Sequence, residues 1–379
     1  MLIPWFRRYR QFLGLWSGLG LLVLVLGIGG CAIPQVSAEE RLFLDLSVDY
    51  IDQVILPAAD FAGTEVGGLS AITYDRDRSC YYALSDDRQA PRVYTLKLEL
   101  SPQGIAAAQI TAVTPLTAAD GGPLAPFDGE GMALTPQSTL MVSSEGIVSQ
   151  QANPSIQEFD LATGRLLQSL RIPRRYLPDE ETPQTQGIQE NIGFEALTIS
   201  APGGAYEPFR LFVATEGPLR QDLDTDPEIP YKNRWLHYLI GPDQSTLIAE
   251  HWYPMDTAPL GAIVNGLSEI AAIDSGGHFL SLERAYGLQG LSIRLYQLAT
   301  GGASDTSAIV SLSGDISGIS PIRKRLLADL TASAPDNLEA MTLGPRLADG
   351  SQSLILASDN NFDPRQTTQI RLLTLQGLS

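Results

Sequence analysis

Acidic residues return along this chain at two places in a repeated phrase, and no other pattern in it carries as much chemistry. The first place is near the start of a short apolar strand, in Gly68–Thr73 (GLSAIT), Asp128–Ala133 (DGEGMA), Gly193–Thr198 (GFEALT), Gly266–Ala271 (GLSEIA) and Asn337–Thr342 (NLEAMT). Glu130, Glu195 and Glu339 stand there, with Ser70 and Ser268 in the other two copies. The second place ends the following strand: YALSDD, MVSSEG, FVATEG, LSLERA and LASDNN put Asp86, Glu145, Glu216, Glu283 and Asp359 in register. If each pair of strands is an antiparallel hairpin, both places fall on one rim, about 5 Å apart. So many carboxylates at one opening raise one another's pKa or require a counter-charge.

Calcium suits such an opening, because it takes six to eight oxygen ligands in flexible geometry. The metal set expected from the repeat is Asp86, Glu130, Glu145, Glu216, Glu283 and Asp359, with Asn360 as a neutral oxygen. Glu195 and Glu339 are equally placed as ligands and are the catalytic candidates, with any carboxylate left unligated serving as general base. Arg88, Arg284 and Arg365 stand near these acids and either pair with them or grip an anionic substrate bidentately. A plainer reading stays open beside this one: the repeated acids accept hydrogen bonds from backbone groups of the next repeat and hold the molecule together. Glu269 lies one residue past the first place, which turns it to the opposite face unless a bulge intervenes.

The elements that must bring these residues together are short strands recurring at intervals of roughly 60 to 73 residues, which predicts a β-propeller. Five blades follow from the repeat count, and six if a degenerate unit is hidden. Blade one reads as GLSAITYD, CYYALSDD, RVYTLKLEL and a strand near AAAQITAVTPL; RVYTLKLEL has the period of two of a half-buried strand. Blade four takes its outer strand near AIVSLSG (308–314). Blade five ends after three strands, so the N-terminal FLDLSVDYIDQVILP is expected to complete it, closing the ring and hiding the sheet edges. Pro173–Asn191, Pro218–Lys232 and Ser320–Asp336 read as rim loops.

Residues 1–30 read as an export segment, with Arg7, Arg8 and Arg10 ahead of the apolar Leu19–Ile28. Ile28-Gly29-Gly30-Cys31 fits a lipobox, in which Cys31 is acylated; cleavage near Val36-Ser37-Ala38 and an uncleaved anchor are the alternatives. The mature chain, 31–379, is then one domain on the membrane or secreted, touching lipid only through the anchor. The segment carries three arginines and no acid, so its removal takes the net charge from −18 to about −21. That field repels nucleic acid and favours cations or neutral ligands. With Cys31 lipidated, Cys80 is left without a disulfide partner. No GxSxG elbow is present, and His237, His251 and His278 have no zinc-site spacing, which argues against Ser-His-Asp and zinc chemistry.

The stretches GGLSAITYDRDRSCYYALSDDR, DGEGMAL, NIGFEALT, LFVATEG and SDNNFDPRQTTQIRLL together resemble the bacterial phytase-like family, labelled "esterase-like activity of phytase", over about Leu42–Leu375. The resemblance implies a propeller and the hydrolysis of phosphate or other esters in an exported protein. NNFDPR (Asn360–Arg365) is also similar to the β-propeller phytases, whose calcium-lined channel cleaves phosphomonoesters. The aspartate-rich N-terminal signature of those enzymes is absent beyond Ala58-Ala59-Asp60, as is a cluster of basic phosphate ligands. The function expected is calcium-assisted ester hydrolysis by a monomer acting on a small molecule. The alternative is a non-catalytic, surface-anchored propeller that binds a glycan, peptide or protein.

Overall fold

The computed structural model describes residues 42–378 apart from 58, 125, 201–202, 205–206, 225, 227, 243 and 334–335. Residues 1–30, read above as an export segment, and Cys31 lie outside the described residues. Five four-stranded antiparallel sheets follow one another along the chain. Blade one is Leu69–Asp75, Cys80–Ser85, Arg92–Ser101 and Gly104–Pro115. Blade two is Gly129–Leu134, Thr139–Ser144, Ser155–Asp160 and Leu166–Ser169, and blade three Phe194–Ser200, Phe209–Thr215, Lys232–Ile240 and Ser245–Pro254. Blade four is Ala262–Ala272, His278–Gly287, Gly290–Ala299 and Arg323–Asp329. Blade five joins Leu338–Arg346, Gln352–Ser358 and Thr368–Gln376 to the N-terminal strand Ser47–Leu56, whose register runs from Ser47 opposite Gln376 to Leu56 opposite Thr368. The fold is therefore a five-bladed propeller closed by its first strand, as the repeat predicts.

Each blade buries both faces, which explains why middle strands such as LILAS read as continuous apolar runs while outer strands alternate. The core divides into one cluster per blade junction. Ala71, Leu84 and Met132 join blades one and two, and Met141, Leu197 and Leu236 join two and three. Trp235, Ile270 and Phe279 join three and four, and Leu282, Leu295 and Leu354 join four and five. Ile72, Tyr94 and Ile355 then close the circle between blades five and one. Closure thus rests on side-chain packing as well as on the ladder of the first strand. Trp235 shows the density of these junctions: it is fully buried, with Tyr253 stacked at 6.3 Å and Phe279 edge-on at 5.1 Å.

One strand differs from the sequence reading. The outer strand of blade four is Arg323–Asp329, inside the segment read as a rim loop, and the apolar stretch 308–314 forms no strand. That stretch crosses towards blade three, where cations take its carbonyls: Arg175 Nη1, from the turn before the blade, donates to Ile309 O at 2.8 Å, and the buried Arg234 Nη2 and Lys232 Nζ to Val310 O at 3.2 Å and Leu312 O at 2.9 Å. Arg234 is itself fully buried and paired with Asp222 at 2.6 Å and with Glu250. Backbone carbonyls held this way need no sheet partner, and an outermost strand needs only one apolar face, which RKRLLAD supplies.

Candidate active site

The acids owe their convergence to a local irregularity that all five blades share. On every inner strand the register slips by one residue at the same point, between Leu69 and Ala71, Gly129 and Met132, Phe194 and Ala196, Leu267 and Glu269, and Leu338 and Ala340. Ser70, Glu130, Glu195, Ser268 and Glu339 are thus the bulge residues, released from the ladder. The end of the second strand is fixed by a backbone bond to the corner before each bulge. Asp86 N donates to Gly68 O at 2.9 Å, Glu145 N to Asp128 O at 3.0 Å, Glu216 N to Gly193 O at 2.8 Å and Asp359 N to Asn337 O at 2.9 Å.

Blade four breaks this second series. Arg284, not Glu283, pairs with the corner residue Gly266, while Glu283 pairs with Leu267 in the place held by Ser85, Ser144, Thr215 and Ser358. A one-residue offset reverses the face. Glu283 therefore leaves the channel and accepts from Tyr253 Oη at 2.7 Å and from Lys324 Nζ. The ring at the strand ends is Asp86, Glu145, Glu216, Arg284 and Asp359.

These residues line one cavity of about 1170 Å³, together with Glu130, Glu195 and Glu339. Arg284 donates to Glu216 at 3.1 Å, to Asn337 Oδ1 at 2.5 Å and to Glu339. Arg88 also lines the cavity, but its guanidinium is spent on Asp128, with bidentate bonds of 2.6 and 2.5 Å. Arg365 is absent from the lining; its side chain is 87 % exposed and turned back on Asp363. Asn360 lies beside the cavity, its Oδ1 accepting from Gly68 N at 2.9 Å, so it ties blade five to blade one. Gly68, at φ +62°, allows this approach: a Cβ there would meet the Asp86 carboxylate at 2.0 Å and the Phe362 ring at 2.6 Å.

Two groups of carboxylates offer ligand atoms within 4.8 Å of one another, Asp128 with Glu130 and Glu145, and Glu145 with Glu195 and Glu216. Either group can hold a metal ion. Asp128 was not among the residues expected from the repeat, although its signal lies in DGEGMA, where an acid takes the corner held elsewhere by glycine or asparagine. Burial, reinforced by Glu339 and Asp128, pushes Asp86 up to about 7, and burial with Glu216 and Asp128 pushes Glu145 up to about 8. Glu130, Glu195 and Asp359 are held well above the carboxylate range, by burial first and by neighbouring acids second. Burial raises Glu216 as well, against the pull of Arg284. Asp86 keeps a buried Oδ1 with no hydrogen-bond partner.

The plainer reading holds for some acids. Glu269 faces away from the channel and its Oε1 accepts from Ile270 N at 2.8 Å and from Leu197 N of blade three at 3.2 Å. Glu145 lines the cavity and also ties blade two to blade three, its Oε1 accepting from Gly193 N at 2.8 Å. The histidines take no part in the lining: His237 is stacked on Phe212 at 4.4 Å, His251 bonds Ser304 O and His278 bonds Asp274.

Among solved structures, the chain is similar to an endo-arabinase from Bacteroides thetaiotaomicron, at 14 % identity and a TM-score of 0.42 over 82 % of this chain and 94 % of that one. The catalytic domain of the Coprinopsis cinerea GH62 α-L-arabinofuranosidase is similar at 12 % identity and a TM-score of 0.42, covering 88 % and 98 %. No curated protein is similar by sequence. The family model described as "Phytase-like: Esterase-like activity of phytase" matches residues 64–362, the whole span from the first corner to the last acid of the ring. The chain belongs to the phytase-like family.

Proposed function

We propose that this protein hydrolyses esters, phosphate monoesters first among them, on the carboxylate floor of its channel with calcium as the assisting cation. The observation that carries the reading is Glu145, which belongs at once to the group with Asp128 and Glu130 and to the group with Glu195 and Glu216. An all-oxygen donor set suits a hard cation, and the orphaned Asp86 Oδ1 adds a donor. Calcium held there would supply the positive charge that admits an anionic ester to an acidic channel and would acidify an attacking water.

The side chains of the chain do the rest. Glu195 makes no direct salt bridge, Arg284 being bonded to Glu216 and Glu339 instead, so once ionised it is placed to take the proton of the attacking water as general base and return it to the departing alkoxide. Glu339 is pinned by Arg284 and Asn337 and acts instead to fix the guanidinium in the ring. Added calcium is expected to raise turnover of phosphate or carboxylate esters and a chelator to abolish it. A folded protein indifferent to both would end the proposal.

The same reading makes the protein an exported, monomeric lipoprotein held through Cys31, acting on small esters and not on nucleic acid. The support is the basic and apolar run ahead of Cys31 and the acidity of the remainder. Palmitate labelling that is lost in Cys31→Ser, with release from the membrane fraction, is the expected result; an unlabelled wild type would reject the anchor.

A further inference from the structure

The rim of the channel is uneven. Blade four alone carries its inner hairpin past the ring: its first strand begins at Ala262, whereas the corner residue is Gly266. The other inner strands begin just after their corners, at Leu69, Gly129, Phe194 and Leu338. The second strand likewise continues through Arg284 to Gly287. On this extension Val264 pairs directly with Tyr286, and Ile263 sits in the bulge between Ala262 and Val264. All three line the cavity, yet Ile263 is 76 % exposed and Tyr286 55 %. Apolar surface left in water at about 25 cal/mol per Å², contiguous with a polar cavity, is the composition of a ligand site.

A second observation concerns charge. The guanidinium groups of the lining are already engaged: Arg88 with Asp128, Arg92 with Asp87 at 2.7 Å, and Arg284 with Glu216 and Glu339. Among the described residues of the lining, no unpaired cation is left to receive a second anionic group on a substrate.

We infer that the ester taken here is a monoester of an apolar alcohol or phenol, its hydrolysable group on the carboxylate floor and its hydrocarbon part against Ile263, Val264 and Tyr286. The inference rests on the hydrolysis proposed above for its reaction, but the preference of the lip does not require turnover. A densely charged polyol ester finds no unpaired cation in the lining, and Ile263 and Val264 offer its hydroxyl and phosphate groups no side-chain hydrogen bond.

Benzyl and methyl phosphate test it, because the alcohols they release are of similar acidity. With the full chain and calcium, kcat/KM for benzyl phosphate is expected to exceed that for methyl phosphate at least tenfold, and the double variant Ile263→Ser, Tyr286→Ser to bring the ratio towards one. Benzyl and methyl acetate run in parallel cover carboxylate esters. Saturation-transfer NMR with benzyl alcohol, which needs neither calcium nor turnover, should give a signal on the wild type that the double variant loses. Equal turnover of benzyl and methyl esters, or a benzyl alcohol signal unaltered by the double substitution, overturns the inference. If no ester is hydrolysed while the signal still depends on Ile263 and Tyr286, the hydrolytic reading fails and the apolar lip stands.

Discussion

Arg284 meets Glu216 at 3.1 Å, and the two residues hold the same place in successive blades. A ring that repeats an acid four times substitutes a cation the fifth time, and that cation also reaches Glu339. The arrangement neutralises one side of the channel from within, while around Glu130 and Glu145 the nearby cation, Arg88, is bonded to Asp128 and to neither glutamate.

Removing the guanidinium should expose that debt. Arg284→Leu leaves Glu216 and Glu339 buried without their partner, a change that typically costs about 3–5 kcal/mol. Urea unfolding should show the loss in the metal-free protein and a smaller loss with calcium present. Equal stability of variant and wild type without metal would mean that the pair contributes nothing.

The raised carboxyls set the direction of the pH response. Asp86 is pushed up to about 7 and Glu145 to about 8, so the native state keeps protons that the unfolded chain has released. Stability from these groups is complete below about pH 4, the unfolded carboxylate range, and is lost as pH rises through 7 and 8. Thermal melts of metal-free protein should therefore show Tm falling from pH 5 to pH 8. Calcium should flatten the fall and release protons on binding at pH 7. A metal-free Tm that climbs over that range would contradict protonated acids in the channel.

Glu195 and Glu269 separate chemistry from architecture. Glu269→Ala strands the buried amides of Leu197 and Ile270, at a cost of about 1–3 kcal/mol, with the calcium response of the assay retained. Glu195→Gln should keep the fold, since its side chain supports no neighbouring amide, and should lose calcium-dependent turnover by two orders of magnitude or more, in keeping with the loss of a general base. Denaturation midpoints and ester assays on both variants decide between the roles.

Closure by the first strand is testable through its edge. Deleting residues up to Leu56 bares the ladder of Thr368–Gln376, nine residues of which only Gln376 is exposed. Such an edge invites association with other chains. Light scattering should show oligomers or aggregates for the truncated protein at concentrations where the full chain is monodisperse.

Much of this was legible in the residues, for physical reasons that differ between positions. The apolar period and the returning phrase were enough for five blades, for the closing strand and for the convergence of Asp86, Glu130, Glu145, Glu195, Glu216, Glu339 and Asp359, because a strand repeat carries its side-chain directions with it. Glu283 was misplaced because LSLERA offers an acid and an arginine in succession, and the faces of neighbouring residues are settled by the ladder partner, Leu267 or Gly266, which composition does not reveal. Asp128 was overlooked as a corner residue. The segment 308–314 reads as a strand because its apolar pattern is real, while what satisfies its carbonyls is a set of cations on and just before blade three. Asn360 reads as a neutral metal-ligating oxygen and Arg88 as a partner of the acids or of an anionic substrate, but their commitments to Gly68 N and Asp128 are three-dimensional facts.

The five bulges have one more consequence. A residue released from the ladder is not constrained in type by strand pairing, and the native chain carries both serine and glutamate there. The same backbone device thus presents Ser70, Glu130, Glu195, Ser268 and Glu339 around one wheel, and what each spoke contributes to the charge of the floor is set by its side chain and not by the strand pairing that carries it.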